Sequence, residues 1–412
     1  MFLSATEEIS EVRKLEESEQ ALIRGIYSDL TVEDAEKVKD IEKITNHDVK
    51  AIEYYVKDRL KEQPDLVELI EWIHFACTSE DINNTAYAIM LSHARSDVLM
   101  NVMKTLTEEI NLMANSNASV AMLSRTHGQV ASPTTLGKEL KNSSERLKRQ
   151  LVQFEKQEIL GKFNGAVGNF NAHQSAYPNL DWPTLSADFL DRLGLSINKY
   201  TTQIEPHDYI AEMFDCLKRF NQILLDFDRD IWTYVSLDYF KQKKVEGETG
   251  SSTMPHKINP IDFENSEGNL GIANALLEHM SSKLTVSRLQ RDLSDSTVLR
   301  NVGSALSHCL LAYKSTLKGL TRLEVNQEKI QQDLDRSWEV LAEPVQTVMR
   351  KYGLSEPYER LKKATRGQQL DEELYQKVLE ELQLPKEALA ELQHLRPESY
   401  LGLAIELTEK ND

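Results

Sequence analysis

Several long stretches of this sequence contain neither glycine nor proline, and three of them are residues 138–160, 207–246 and 272–302. In the second stretch, apolar residues recur at three- and four-residue steps, which is the spacing of one face of an α-helix. These residues are Ile210, Met213, Leu217, Phe220, Leu224, Phe227, Ile231 and Val235. A small single bundle seldom covers all of the apolar surface of helices this long. We therefore expect a long central bundle whose remaining apolar surface is covered by other copies of the chain.

The rest of the chain also favours an all-α fold, because an alternating strand pattern is nearly absent. We expect three helical domains: an N-terminal domain over residues 1–70, the long-helix bundle over residues 71–321, and a C-terminal domain over residues 322–412. The last region has shorter, more charged helical segments separated by glycine and proline. The glycine-rich piece at residues 161–169 is the main irregular insertion, and we expect it to form a small hairpin or a loop.

Composition excludes several classes of partner. The 412 residues carry a formal net charge of -18, which opposes binding to nucleic acid or to an acidic membrane surface. An anionic ligand would therefore need a local cationic cluster. No stretch approaches the roughly 18–20 uninterrupted apolar residues of a membrane helix. The three cysteines, Cys77, Cys216 and Cys309, are widely spaced, which indicates neither a disulfide framework nor a zinc site. These features predict a cytoplasmic protein without a bound metal.

One polar segment, the loop at residues 247–260, stands out from the helical background. Residues 250–260 read GSSTMPHKINP, and Asn259-Pro260 has the pattern of an N-cap followed by a first-turn proline. A helix N-terminus beside Lys257 would hold an anion such as a carboxylate. The same surroundings would lower the cost of the alkoxide form of Ser251. The alternative interpretation is an ordinary surface loop in front of a capped helix.

Three further polar clusters are candidates for chemistry. They are residues 46–48 (Asn-His-Asp), residues 78–79 (Thr-Ser) and residues 124–129 (SRTHGQ). The first precedes an amphipathic run and is typical of a helix start. Thr78 with Asp81 fits a capping box, so capping alone would also explain the second cluster. A lone histidine at a helix end is more often a capping residue than a catalyst.

Taken together, these motifs resemble a known family. Residues 250–260 are similar to the GSSxMPxKxNP signature of the fumarase/aspartase superfamily, whose members expel fumarate by β-elimination. With TNHD at 45–48, TSED at 78–81, RTHGQ at 125–129, TTQIEPHD at 201–208 and DFENSEGN at 262–269, the chain resembles the bacterial type of the adenylosuccinate lyase family. The resemblance runs from about Ile41 to the C-terminus.

The resemblance implies a reaction and an assembly. It implies an all-helical, three-domain subunit in a homotetramer, with each active site assembled from three subunits and with no metal or organic cofactor. The small-molecule substrates would be adenylosuccinate, cleaved to AMP and fumarate, and the succinylated aminoimidazole carboxamide ribotide (SAICAR), cleaved to its carboxamide (AICAR) and fumarate.

The resemblance also implies the site residues. Ser251 would be the general base and His127 the general acid. The residues expected to bind substrate are Asn46, His47, Asp48, Thr78, Ser79, Gln203, Ser252, Lys257, Asn259, Asn265, Arg291, Ser296 and Arg300. Arg291 and Arg300 would serve the phosphate, whose oxygens suit the forked donors of a guanidinium. A surface ion pair with Asp292 or Asp295 is the alternative for Arg291.

The N-terminus departs from the family pattern. Members usually begin with a segment resembling Ser-Pro-x-Asp-x-Arg-Tyr, and residues 1–30 contain no match. We expect the chain to start several tens of residues late, with weaker nucleotide binding or a less stable first domain.

Two other functions remain open at this stage. One is another fumarate-releasing lyase, such as an argininosuccinate lyase, and the other is a non-catalytic helical scaffold.

Overall fold

The structure is a computed structural model that describes residues 1–243, 254, 257–365 and 370–410. It is predominantly helical, which confirms the predicted all-α class. The α-helices are α1 (Glu17–Ser28), α2 (Val32–Thr45), α3 (Asp48–Lys61), α4 (Ser79–His93), α5 (Met100–Ser116), α6 (Leu136–Lys156), α7 (Asn171–Ala176), α8 (Trp182–Asp191), α9 (Asp208–Ser236), α10 (Ile261–Leu284), α11 (Ser294–Leu299), α12 (Val302–Thr321), α13 (Gln327–Asp335), α14 (Ala342–Lys351), α15 (Pro357–Thr365), α16 (Glu372–Glu381), α17 (Lys386–His394) and α18 (Ala404–Glu409).

Shorter elements fill the connections. Among them are 3-10 helices at Leu3–Ala5, Pro64–Trp72, Trp338–Leu341 and Pro397–Ser399, and a π-helical turn at Ala94–Leu99. The strands are β1 (Ala121–Thr126), β2 (Gln129–Thr135), β3 (Leu160–Gly161), β4 (Ser196–Ile197), β5 (Phe240–Gln242) and β6 (Leu323–Val325). They pair two by two: β1 with β2 and β5 with β6 antiparallel, and β3 with β4 parallel.

Two of the three long stretches form the expected long helices, and the third does not. Helices α6 and α9 cover most of residues 138–160 and 207–246, whereas residues 272–302 break between α10 and α11. At the break, Leu289 adopts a positive φ of 51°. The Asp292 carboxylate accepts hydrogen bonds from the backbone N–H groups of Ser294 at 2.8 Å and Arg288 at 3.1 Å. Asp292 thus satisfies backbone donors on both sides of itself within the break.

The glycine-rich piece forms a loop after β3. Gly165 and Gly168 have φ values of 84° and 79°. At Gly168, a Cβ atom would lie 2.4 Å from the Thr201 carbonyl oxygen, so this close approach of two backbones requires glycine.

The chain divides into two compact units. Unit 1 comprises residues 1–98, 155–215 and 277–302, and unit 2 comprises residues 99–154, 216–276 and 303–412. One core of unit 1 packs Ile9, Val12 and Leu15 with residues of α3, the Pro64–Trp72 helix and Trp182. In unit 2, the predicted apolar stripe of α9 is buried from Leu217 to Ile231, and Phe220 meets Tyr313 of α12 edge to face at 5.2 Å.

None of the helices in the described part of the chain combines the length and the apolar character needed to span a bilayer.

A buried carboxyl group lies where three helices of unit 2 meet. Asp228 on α9 is 1% exposed and accepts hydrogen bonds from the Thr316 hydroxyl of α12 at 3.0 and 3.3 Å. The same hydroxyl lies 2.8 Å from Ser266 Oγ on α10. Burial raises the pKa of Asp228 to about 8, because two hydroxyl groups do not replace the solvation that a carboxylate has in water.

This environment predicts a pH-dependent stability. Between about pH 4 and pH 8 the folded chain keeps a proton on Asp228 that the unfolded chain has lost, so the free energy of unfolding falls as pH rises across that window. Asp228→Asn removes this titration. We expect the substitution to raise the Tm by about 2–4 °C at pH 8 and by less at pH 5, measured by calorimetry at both pH values.

Asp226→Asn is the matched control, because Asp226 is 57% exposed and pairs with Arg146 at the surface. It should change the Tm little and equally at the two pH values. An equal loss of Tm at pH 5 and pH 8 for Asp228→Asn would contradict a neutral Asp228.

Candidate active site

A polar cavity of about 520 Å³ lies within unit 1. Its walls come from the N-terminal ends of α3 and α4, from the segment before α9, and from residues 291–300. It brings together eight of the residues expected to bind substrate, which are Asn46, His47, Asp48, Ser79, Gln203, Arg291, Ser296 and Arg300. These residues come from four separate stretches of the sequence, and folding brings them together at one cavity.

The first wall is the start of α4. Thr78 is the N-cap residue, and its backbone N–H donates to the Asp81 carboxylate at 2.8 Å, as predicted for the capping box. Thr78 itself is not part of the cavity lining, whereas Ser79 and Glu80 in the first turn are. The partial positive charge of a helix N-terminus therefore adjoins the cavity.

The second wall is the junction of α2 and α3. Asn46 ends α2 in the left-handed conformation, with φ 51°, and His47 is the N-cap of α3. His47 Nδ1 accepts the Lys50 backbone N–H at 3.2 Å. That bond requires an unprotonated Nδ1, so the neutral ring carries its proton on Nε2 and can donate there.

Arg291 joins two walls of the cavity. Its Nη1 lies 2.8 Å from Glu80 Oε1 and donates to Gln203 Oε1 at 3.4 Å. The surface ion pair with Asp292 or Asp295 is therefore not the arrangement observed. Asp292 pairs instead with Arg288, at 3.2 Å.

His207 lies between two carboxylates at the base of the cavity. It is 2% exposed, and its ring nitrogens lie 3.7 Å from Glu205 Oε2 and 3.5 Å from Asp295 Oδ2. Burial raises the pKa of Glu205. Burial also acts to raise the pKa of Asp295, but the His207 hydrogen bond and charge, with Arg291, outweigh it and lower that pKa. The cluster holds Asp295 beside Ser296, which lines the cavity.

The charge balance of this cavity is acidic. Its lining includes the carboxylates of Glu42, Asp48, Glu80 and Asp295 but only two guanidinium groups, those of Arg291 and Arg300. The local cationic cluster expected for an anionic ligand is thus not complete within unit 1. A multiply charged anion would need further cations from elsewhere.

Several lining residues were not predicted from the sequence. Glu80, Asn83 and Tyr87 recur at steps of three and four residues along α4, so the helical period starting at Glu80 would have grouped them on one face. His207 was noted only as part of the motif at 201–208, and Asp295 only as a possible surface partner of Arg291. Their association depends on a contact 88 residues apart in the sequence.

The other described candidates belong to unit 2. His127 and Gly128 form the two-residue turn between β1 and β2, with φ values of 52° and 76°. Positive φ at both positions is the pattern of a type I′ hairpin turn, which leaves the His127 side chain exposed at the tip.

Lys257, Asn259 and Asn265 lie at the start of α10. The helix begins at Ile261, and the Pro260 carbonyl accepts the Phe263 N–H at 3.1 Å, so Pro260 rather than Asn259 occupies the cap position. The predicted cap at Asn259 was therefore wrong by one residue. Asn265 donates to Ser315 Oγ at 3.1 Å. Ser251 and Ser252 lie outside the described residues.

Among the described residues, no group of three or more His, Cys, Asp or Glu side chains is arranged to bind a metal ion.

Comparisons with known proteins identify the family. Residues 3–274 match the family described as Lyase, and residues 287–401 match the family described as Adenylosuccinate lyase C-terminal. The chain is 54% identical to the adenylosuccinate lyase of Haemophilus influenzae and 53% identical to that of Escherichia coli K12. Each match covers 99% of this chain and 90% of the relative.

Solved structures agree on the fold. The 3-carboxy-cis,cis-muconate lactonizing enzyme of Pseudomonas putida superposes with a TM-score of 0.76 at 21% identity, and a Mesorhizobium fumarate lyase with a TM-score of 0.77 at 17% identity. Each covers 99% of this chain and 90% of the solved chain. With sequence identity above 50% to these relatives over nearly its whole length, the chain belongs to the adenylosuccinate lyase family of the fumarase/aspartase superfamily.

Proposed function

We propose that this chain is a C–N lyase that releases fumarate by β-elimination from adenylosuccinate, giving AMP, and from SAICAR, giving AICAR. The observation that carries the proposal is the cavity of unit 1, where eight residues from four stretches of a family member converge. Donors and cations at its rim suit the phosphate and the succinyl carboxylates of these substrates.

Purine nucleotide synthesis in the cytoplasm is the corresponding setting. The buried free thiols of Cys216 and Cys309 are typical of a reducing compartment.

The reaction needs two proton transfers. A base removes a proton from the succinyl carbon next to a carboxylate, the C–N bond breaks, and an acid protonates the leaving nitrogen. We assign the base to Ser251 and the acid to His127. The exposed position of His127 at the tip of a two-residue hairpin supports its role as a group presented to a ligand.

The developing negative charge needs stabilisation. Removal of the carbon-bound proton creates an aci-carboxylate dianion, which requires cations and amide donors placed in advance. We assign this role to Lys257 and Asn259, with Ser252 and Asn265 as further contacts. Arg291, Ser296 and Arg300 then bind the nucleotide phosphate, and Asn46, His47, Asp48, Thr78, Ser79 and Gln203 hold the remainder of the substrate.

We further propose a homotetramer in which copies of the chain complete each other's active sites. The carboxylate surplus of the unit 1 cavity supports this proposal, because a substrate with several negative charges needs cations beyond Arg291 and Arg300. Exposed apolar side chains on the long helices of unit 2 support it as well: Trp232, Ile272 and Leu311 are each about half exposed. The division into three domains remains a proposal.

A substrate panel tests the reaction. The wild-type chain should release fumarate from adenylosuccinate and SAICAR and should leave argininosuccinate, malate and aspartate unchanged. Ser251→Ala should lower kcat by at least about 10³-fold, because no other base would be in place. Ser116→Ala, at the exposed end of α5, is the control and should keep full activity. Tight binding of adenylosuccinate without fumarate release would favour the scaffold interpretation.

The phosphate assignment predicts an effect on substrate binding. Arg291→Ala should raise the KM for adenylosuccinate by about 10–100-fold, because it removes a charged hydrogen-bond donor from the cavity. Arg288→Ala is a matched control from the same segment, since Arg288 is 82% exposed and pairs only with Asp292 among the described residues. Steady-state kinetics compares the two. An equal KM for both variants would argue against a role of Arg291 in binding.

A further inference from the structure

One lysine of unit 1 is completely buried. The Lys162 side chain is 0% exposed, and its Nζ lies 3.0 Å from Asp81 Oδ1. The same nitrogen donates to the backbone carbonyl oxygens of Gly165 at 2.9 Å and Gln203 at 2.7 Å. An ammonium group has three N–H donors, and here each has one acceptor. Removing an ammonium from water is costly, and only complete pairing offsets that cost, so this geometry is tightly specified.

The partners of Lys162 belong to two walls of the active-site cavity. Asp81 caps α4 through the Thr78 N–H, which fixes the first turn that carries Ser79. Gln203 lies on the segment that precedes α9 and lines the same cavity. The Lys162 ammonium group therefore connects the two walls from the protein interior, outside the cavity. It is absent from the lining of the cavity itself.

A third wall depends on the first two. Arg291 Nη1 contacts both Glu80, at 2.8 Å, and Gln203 Oε1, at 3.4 Å. Glu80 follows the cap of α4, and Gln203 is held through its own carbonyl oxygen by Lys162. A shift of either wall would therefore change the position of the Arg291 guanidinium.

We propose that Lys162 is a positioning residue for the lyase reaction, which sets the separation of Ser79, Gln203 and Arg291 without touching the substrate. The inference rests on the proposed function for its kinetic readout. A compact ammonium suits three convergent acceptors in a closed space, whereas the flat fork of an arginine does not.

Lys162→Met tests the proposal, because methionine keeps most of the side-chain length and removes the charge. The KM for adenylosuccinate should rise at least tenfold, and kcat should stay within threefold of wild type, since the displaced groups bind substrate rather than transfer protons. The single variant removes the ammonium that pairs with the buried Asp81 carboxylate and leaves that charge unpaired. The double variant Lys162→Met/Asp81→Asn, which removes both charges, is therefore made in parallel. The amide oxygen of the new residue can still accept the cap hydrogen bond.

Lys141→Met is the matched control. Lys141 is 8% exposed and lies in unit 2, where it donates to Asn111 Oδ1 at 2.8 Å and pairs with Glu145 at 3.5 Å. Its loss should lower the Tm without changing the KM. A purely structural role of Lys162 would give the same pattern.

Amide hydrogen exchange separates this inference from the proposed function. In the double variant, exchange should become at least tenfold faster at residues 78–82 and 201–205, and it should remain unchanged around Lys141. Hydrogen exchange needs no turnover, so it tests the role of Lys162 even if the wild-type chain releases no fumarate. The absence of fumarate release would refute only the proposed function. A folded double variant with wild-type KM and wild-type exchange at residues 201–205 would overturn the inference.

Discussion

The cavity of unit 1 depends on one buried carboxylate. Asp81 is 1% exposed, and it accepts hydrogen bonds from the backbone N–H groups of Thr78, Asn164 and Gly165 and from the Lys162 ammonium. A carboxylate offers about four acceptor positions, so Asp81 has no capacity left for water or ligand. A residue that the sequence identifies only as part of a capping box is thus the point at which α4 and the glycine-rich loop meet.

Two buried aspartates show how surroundings decide what a carboxyl group contributes. Asp81 has backbone donors and an ammonium, and it joins segments that are far apart in the sequence. Asp228 has hydroxyl partners from Thr316 and Ser266, and burial raises its pKa to about 8. The first arrangement fixes geometry through charge, whereas the second tolerates a neutral acid within a helical bundle. Both residues are aspartate, so the difference comes from their surroundings and not from the residue type.

Local signals were predictable from the sequence, and tertiary ones were not. The helix start at Asp48, the cap of α4 by Thr78 and the buried stripe of α9 follow from spacing and capping chemistry over a few residues. The β1–β2 hairpin was missed because His127-Gly128 is not a common turn pair, although both residues adopt positive φ. The break before α11 was missed because no glycine or proline marks it. The contacts of Lys162 with Asp81 and of His207 with Asp295 require the folded chain, since nothing local to either residue specifies a partner 80 or more residues away.

Unit 1 is assembled from three separated segments, residues 1–98, 155–215 and 277–302. During synthesis, the segment that carries α3 and α4 leaves the ribosome about 200 residues before the segment that carries Arg291 and Arg300. At roughly 5–20 residues per second, this interval is on the order of 10–40 s. The apolar core in which Ile9, Val12 and Leu15 pack against Trp182 needs only the first two segments. That core can therefore form before the arginine wall of the cavity has been synthesised.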